Sequence, residues 1–277
     1  MPGCLYVVSL PIGNLEDITV RAIRTLRAVD FIVAEDTRTT RRVLDRYAIK
    51  TPFLGSYYQG VEAERAAGLV KQLQEGKDLA LVSDAGTPLV SDPGYPLVRA
   101  AVEAGITVVP IPGPSAVIAA LVASGLPADH FAFDGAVPRK AGERRAYLES
   151  IRGEVRTVIV YESPHRLLAT LGAIEEITPD RRIVLCRELT KLHEQVLRGT
   201  AAEVRERLEA HGPVRGECAL VLEGEKPVEI GDGAAVRLAA LLAGEGVASR
   251  TAVKILVEGF GLRRNRAYDL VHGTGEP

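Results

Sequence analysis

Residues 80–94, ALVSDAGTPLVSDPG, and residues 106–115, ITVVPIPGPS, decide how this 277-residue chain is read. Two apolar β runs, Leu79–Ser83 and Thr107–Ile111, each empty into a loop of Gly, Pro, Ser and Asp. Residues of those types let the backbone approach a ligand and offer it N–H and C=O groups that bulkier side chains would cover. In a parallel α/β sheet, ligands sit beyond the carboxyl ends of the strands, so the two loops predict one binding crevice.

Working outward, Leu5–Ser9 is a short apolar strand that runs into LPIGNLED (10–17), where Pro11 and Gly13 break the pattern. No GxGxxG follows it, and no GxxxxGK(S/T) occurs anywhere, which removes the main support for a dinucleotide or P-loop site. Asp17 or Thr19 can cap a helix whose apolar positions Ile18, Ala22, Ile23 and Leu26 keep helical spacing. Phe31–Glu35 is a buried-looking strand, and a helix over Val61–Glu75 precedes Leu79–Ser83. This alternation predicts βαβ units and a mainly parallel sheet. Ser115 opens a helix of small apolar residues, AVIAALVAS, ended by Gly125. Its N-terminus offers free N–H groups to a ligand, although Ser115 can also cap it.

A turn at GLPADH (125–130) leads to a second strand–helix series starting at Phe131–Gly135. Thr157–Tyr161, Arg182–Arg187 and Gly216–Glu223 are its further strands, and 224–232 is a linker rich in charge, Pro and Gly. From Ala234 on, short helices with Gly-containing turns resemble a helix-turn-helix, with Ser249 as a cap and Gly259 or Gly261 as a stop. The expected domains are therefore 1–124, 125–226 and 234–277.

Polar clusters mark the strand ends. EDTRTTRRVLDRY (35–47) sets Glu35 and Asp36 beside four arginines; it also makes an amphipathic helix whose charges merely face water. Asp36, Thr37 and Arg38 stand apart because they occupy the strand-to-helix corner on the crevice side. VPRKAGERR (137–145) is expected to be a basic loop, and ESPHR (162–166) puts four polar groups at one strand end. Arg187, Glu188, Lys191 and Glu194 alternate in sign closely enough to form a surface ion network.

Composition narrows the class. Hydrophobic residues make up 47% and charged residues 25%, as in ordinary soluble proteins, and no apolar run is long enough to cross a bilayer. The N-terminus lacks a basic n-region and a cleavage site, so a cytosolic protein is expected. Cys4, Cys186 and Cys218 show neither CxxC nor zinc-type spacing and are expected to be reduced thiols in strands. With a net charge of −2, contact with nucleic acid must come from local basic clusters such as Arg250, Lys254, Arg263, Arg264 and Arg266.

Taken together, LYVVSLPIGNLEDIT, VAEDTRTTRRVL, LVSDAGTPLVSDPGYPLV, IPGPSAVIAAL and YESPHRL, in this order, closely resemble the bacterial small-subunit ribosomal RNA cytidine 2′-O-methyltransferases of the tetrapyrrole-methylase superfamily. The likeness covers essentially the whole chain. It implies two α/β domains with S-adenosylmethionine in the cleft between them, plus a small C-terminal helical domain. It further implies a homodimer and 2′-O-methylation of a cytidine ribose in the decoding region of 16S ribosomal RNA, with the assembled small subunit as the expected substrate. Carried over by position, Leu10 and Pro11 belong to the first cofactor loop, Asp84, Ala85, Gly86, Thr87 and Val90 to the second, and Ser115 and Ala116 to the third. Phe133, Ala219 and Leu220 would meet the adenine end.

A methyl sulfonium needs no metal and no covalent enzyme intermediate, because the leaving thioether is already good and positioning supplies most of the acceleration. The ribose 2′-hydroxyl is a poor nucleophile, which calls for a general base or a nearby cation. Candidates are Asp36, Glu162, Glu188 and Lys191. Arg38, Arg41, His165 and Arg166 are placed to orient phosphate or ribose, with Arg139, Lys140, Lys254, Arg263, Arg264 and Arg266 as further RNA contacts. Rival readings are a porphyrin or corrinoid C-methyltransferase and a non-catalytic RNA-binding assembly factor.

Overall fold

The computed structural model describes residues 1–210, 212–225 and 231–273, so the expected linker lies largely outside the described residues. Contacts divide them into two compact units, one of residues 1–152 with 156–223, the other of 153–155 with 224–277.

The first unit opens with β1 (Cys4–Val8), α1 (Val20–Ala28), β2 (Phe31–Ala34), α2 (Thr37–Arg46), β3 (Phe53–Ser56), α3 (Glu62–Gln74), β4 (Leu79–Val82), α4 (Tyr95–Glu103), β5 (Thr107–Ile111) and α5 (Ala116–Ser124). The strands form an all-parallel sheet in the order β3-β2-β4-β1-β5. β4 is buried along its whole length, as a strand covered on both faces must be. Alternate residues serve alternate faces: Ile32, Ala34, Ala80 and Val82 pack with α1 and α2, while Val33, Leu79 and Leu81 pack with α3 and α4. Thr19 caps α1 by accepting the Ala22 N–H at 3.0 Å, whereas Asp17 ends a separate 3₁₀ turn.

The unit continues with β6 (Phe131–Ala136), α6 (Ala141–Ser150), β7 (Thr157–Glu162), α7 (Pro164–Ile177), β8 (Ile183–Arg187), β9 (Gln195–Gly199), α8 (Ala201–Glu209) and β10 (Cys218–Leu222). This second sheet has the order β6-β7-β10-β8-β9 and is mostly antiparallel, a character the strand–helix reading of this half did not specify. Only β6–β7 is parallel, and β10 pairs antiparallel with both β7 and β8. A correction concerns 137–145: its latter half is the first turn of α6, with Lys140 as N-cap, and not a loop. On one face the sheet packs α6, α7 and α8. Its other face is covered by α5, through Val117, Ala120 and Leu121 against Ile159, Val184, Ala219 and Val221. The helix that closes the first sheet in sequence thus roofs the second.

The other unit contains α9 (Asp232–Gly244), α10 (Ser249–Lys254), a π-helical turn over Ile255–Gly259, and α11 (Arg264–His272), packed around Ala239, Leu256 and Ala267. The N-cap of α10 is Ala248, not Ser249, which is its first helical residue. Among the described residues no helix is long and apolar enough to cross a membrane.

Candidate active site

The carboxyl ends of the parallel strands gather the three expected loops. After β1, the Leu10 N–H donates to the Gly86 carbonyl (2.8 Å) and the Gly86 N–H returns to the Leu10 carbonyl (3.0 Å). Gly86 sits at φ +71°, a conformation that costs a side-chain-bearing residue far more than glycine. The Ser9 hydroxyl pairs with the Thr87 hydroxyl (2.9 Å), and the Thr87 hydroxyl donates to the Pro114 carbonyl (3.3 Å), so all three loops are tied together.

Opposite them stand the ends of β7, β8 and β10. Between the two walls lies a cavity of about 400 Å³, the size range of small-molecule sites. Ala85, Gly86, Thr87, Val90, Ser115, Ala116 and Ala219 line it. So does Glu162. Ser115 occupies the N-cap position of α5 without a side-chain capping bond, and the Val117 amide faces the Tyr161 hydroxyl, so the start of that helix borders the cavity.

Other expected residues stand close by with different partners. Leu10 is fully buried beneath the loops and contributes through its backbone bridge. Pro11 is also buried beside it. The Asp84 carboxylate turns away from the cavity and accepts the Asp36 N–H (2.9 Å), pinning the β2–α2 corner. Phe133 stacks edge-on against Tyr161, ring centroids 5.0 Å apart, and it is Tyr161 that lines the cavity. Leu220 points to the other face of the sheet, into the core under α7, as the alternation with Ala219 requires.

Motif reading passed over Ile12, Asp92, Tyr161, Cys186, Leu189, Glu217 and Cys218, which also line it. The two thiols are pushed up to about 11 by burial and stay protonated. One signal existed for Asp92: it belongs to the same Gly/Pro/Asp loop as Asp84.

Strain is concentrated here. Of the five described non-glycine residues with positive φ, four lie on the loops facing each other across the cavity: Leu89 (+73°), Ser91 (+65°), Glu188 (+51°) and Thr190 (+65°). Each such residue costs roughly 1–3 kcal/mol and persists where the surroundings over-determine it, commonly at functional sites. The loops also touch: the Asn14 N–H donates to the Thr190 hydroxyl (3.1 Å), and a Cβ on Gly13 would fall 2.4 Å from Lys191 Cγ.

The carboxylates sort by partner. Glu162, whose side chain is fully buried, accepts the Ser163 N–H (2.6 Å) and the Thr170 hydroxyl (2.6 Å) and pairs with the Arg166 guanidinium (2.6 Å). Both of its oxygens are spent holding the start of α7. Glu188 accepts the Glu217 N–H and the Lys191 ammonium, each at 2.9 Å, and its carboxyl is held below the usual range chiefly by that lysine. Lys191 also pairs with Glu217 (3.1 Å). Asp36 accepts the Arg38 N–H (2.8 Å) at the cap of α2 and grips the Arg38 guanidinium (2.7 Å), which draws its carboxyl down to about 2. A carboxylate of that acidity is a poor proton acceptor. Asp92 is the reverse case: burial first, then the charge of Glu35, pushes it up to about 6.

Within the first unit the basic residues do not converge. Arg38 and His165 are exposed around the cleft, Arg166 turns inward to Glu162, and Arg41 lies over the Phe53 ring at 5.1 Å. Arg139 is exposed, and Lys140 pairs with Glu143. In the C-terminal unit, Arg250, Lys254 and Arg264 line a groove with Tyr268 and His272, whose rings stack 4.0 Å apart. Arg263 precedes α11 as its N-cap, and Arg266 lies in its first turn.

The model of the Tetrapyrrole (Corrin/Porphyrin) Methylases matches residues 4–205. The chain is 44% identical to Ribosomal RNA small subunit methyltransferase I of Haemophilus influenzae, over 97% of this chain and 96% of that protein. The protein of the same name from Escherichia coli O157:H7 is 45% identical, over 96% and 93%. The chain belongs to the tetrapyrrole methylases, and within them to the ribosomal RNA small subunit methyltransferase I family. It is therefore a methyltransferase, and the expected two-sheet α/β fold with a helical C-terminal region is the one observed. Solved tetrapyrrole methylases share that fold. The methyltransferase CobJ gives a TM-score of 0.62 at 20% identity, covering 83% of this chain and 97% of its own. Uroporphyrin-III C-methyltransferase from Thermus thermophilus, complexed with S-adenosyl homocysteine, gives 0.55 at 20% identity, covering 80% and 97%.

Proposed function

We propose that the protein transfers a methyl group from S-adenosylmethionine to the 2′-hydroxyl of a cytidine ribose in the decoding region of 16S ribosomal RNA, within the assembled small subunit. What carries this reading is identity of 42–46% to proteins named Ribosomal RNA small subunit methyltransferase I, reaching 97% of the chain. The same reading makes it a cytoplasmic homodimer.

The residues suit such a donor. The lining mixes small residues (Ala85, Gly86, Ala116, Ala219) with apolar ones (Ile12, Val90, Leu189), leaving room for a flat base and a thioether. Glu35 and Asp84, at neighbouring strand ends beside the cavity, each have a pKa raised chiefly by burial, and their negative field favours a cationic ligand. When bound, the donor supplies an electrophilic methyl on a positively charged sulfur that leaves as a neutral thioether. Loops 10–14, 83–94 and 112–115 would hold it by backbone amides and carbonyls, with Ala219 and Tyr161 against the base. Positioning then lowers the barrier, since a well-oriented pair gains about 7–11 kcal/mol from entropy already lost on binding. Asp36, Glu162, Glu188 and Lys191 fix the walls through the ion pairs described above. Arg38, His165 and the basic groove of the C-terminal unit would meet the RNA backbone.

The test is incubation with labelled S-adenosylmethionine and, separately, small ribosomal subunits, naked 16S RNA and uroporphyrinogen. Label recovered in a cytidine 2′-O-methyl from the subunits supports the proposal. Label in the macrocycle, or RNA binding without transfer, overturns it.

A further inference from the structure

Three carboxylates line the cavity: Asp92, Glu162 and Glu217. Both oxygens of Glu162 are occupied, one of them by an arginine. Glu217, with 77% of its side chain exposed, is held by Lys191. Asp92 pairs with no cation among the described residues, and it is half-buried on the loop that Leu89 and Ser91 strain into place. The Ser91 side chain lies near Gly135 of β6, so the loop carrying Asp92 reaches across to the second sheet. We propose that Asp92 is the proton acceptor for the hydroxyl that becomes methylated, an inference resting on the O-methylation reading above.

The step balances. The O–H proton passes to the Asp92 carboxylate while the oxygen forms a bond to the methyl carbon. The carbon–sulfur bond breaks with its electron pair going to sulfur, leaving a methyl ether, a neutral thioether and a protonated Asp92 that later gives its proton to water. After burial itself, the three carboxylates facing Asp92 favour holding a proton there, Glu35 from the end of β2, Asp84 from the end of β4 and Glu217 from the start of β10, while the Ser83 hydroxyl opposes them; Tyr161 from β7 is itself pushed up to about 12 by burial and by Asp92 and Glu217. The Ser83 hydroxyl, which also donates to the Ala85 carbonyl at 3.0 Å, lies within hydrogen-bonding reach. A carboxylate poised near 6 is ionised at neutral pH yet basic enough to accept a proton as the oxygen attacks.

The experiment uses the full chain, wild type and Asp92→Asn. Single-turnover methyl transfer to small subunits is followed from about pH 5 to pH 8, alongside S-adenosylhomocysteine binding by calorimetry and the Asp carboxyl ¹³C titration of the protein without donor. The expected result is a wild-type rate falling tenfold per pH unit below about 6, and an Asp92→Asn rate lower by about 10²–10⁴-fold without that limb. Binding of S-adenosylhomocysteine stays within about threefold, and one carboxyl lost in Asp92→Asn titrates near 6 in the wild type. Asp92→Glu recovers part of the rate. Asp92→Asn activity within about threefold of wild type, or activity and binding falling together, overturns the inference while leaving ribose methylation standing. Should Asp92→Asn not fold, the wild-type titration decides: an Asp92 carboxyl in the ordinary range overturns it. Wild type that labels no ribose overturns both readings at once.

Discussion

Glu162→Gln separates a structural carboxylate from a catalytic one. The wild-type side chain is completely buried, while Arg166 keeps 29% of its side chain in water. Removing one partner of a buried ion pair costs about 3–5 kcal/mol because the other charge is left uncompensated. Glutamine retains the shape and one carbonyl, which can still accept from Ser163. Thr170, buried at 0% exposure, can turn its hydroxyl to accept from the new amide. With Arg166 also partly solvated, the expected loss is about 2–3 kcal/mol. Urea denaturation at neutral pH should show the midpoint falling with unchanged slope. A cycle with Arg166→Gln and the double mutant should return a coupling of about 2 kcal/mol, since the two groups touch. A coupling below about 0.5 kcal/mol, or a protein of wild-type stability that no longer transfers methyl, would refute the reasoning and return Glu162 to the chemistry.

Three further outcomes are expected. Gly13→Ala places a Cβ 2.4 Å from Lys191 Cγ and 3.0 Å from the Leu189 carbonyl. The resulting strain of about 1–3 kcal/mol should weaken S-adenosylhomocysteine binding by about tenfold or more in calorimetry. The raised pKa of Asp92 means its ionised form destabilises the fold above pH 6, with relief as pH falls toward 4. Asp92→Asn should therefore be more stable than wild type at pH 7.5 by about 1–2 kcal/mol, screened from a ceiling of about 3, and the difference should vanish near pH 4 in urea titrations. Replacing Arg250, Lys254 and Arg264 together by Ser should flatten the salt dependence of RNA binding by about 2–3 in log–log slope, with S-adenosylhomocysteine binding unchanged.

Sequence alone exposed the first sheet because each of its apolar runs ends in a visible break. LALV before SDAG and TVVPI before PGPS each show a strand emptying into a loop, and the start of α1 is announced by two cap candidates, Asp17 and Thr19, of which the structure uses Thr19. β3 (FLGS) and β9 (QVLRG) went unseen, for a physical reason: both are edge strands, paired on one side only, and neither has the fully apolar run that betrays a central strand. Missing β9 also hid the antiparallel character of the second sheet, because the tight turn at 188–194 resembled a charged surface loop. The site was legible where the backbone makes it. Ala85, Gly86, Thr87, Ser115 and Ala116 were carried over by family resemblance onto small-residue loops that the residues themselves already marked as a crevice. Asp92 and Tyr161 were not, since their importance comes from burial and from neighbours distant in sequence.

The helix α5 explains why the cleft stands between two different sheets. Its residues are almost all apolar, which a helix beside the parallel sheet alone would not require, and the buried ones pack on β7, β8 and β10. At its C-terminal end the Arg198 guanidinium of β9 donates to the carbonyls of Ser124 and Ala123, satisfying groups that the helix cannot satisfy itself. Its N-terminal end has no side-chain cap and opens on the cavity beside Ser115 and Ala116. The helix is thus anchored by one terminus to the second sheet, while its other terminus continues directly from the last strand of the first. Any movement of one sheet against the other must carry α5 with it and displace Pro114 from Thr87. That coupling makes the cleft width a property of the whole unit, and it is why the contacts of Gly13 and Asn14 with the loop at 189–191, on the opposite rim, are expected to matter for binding as much as the lining residues do.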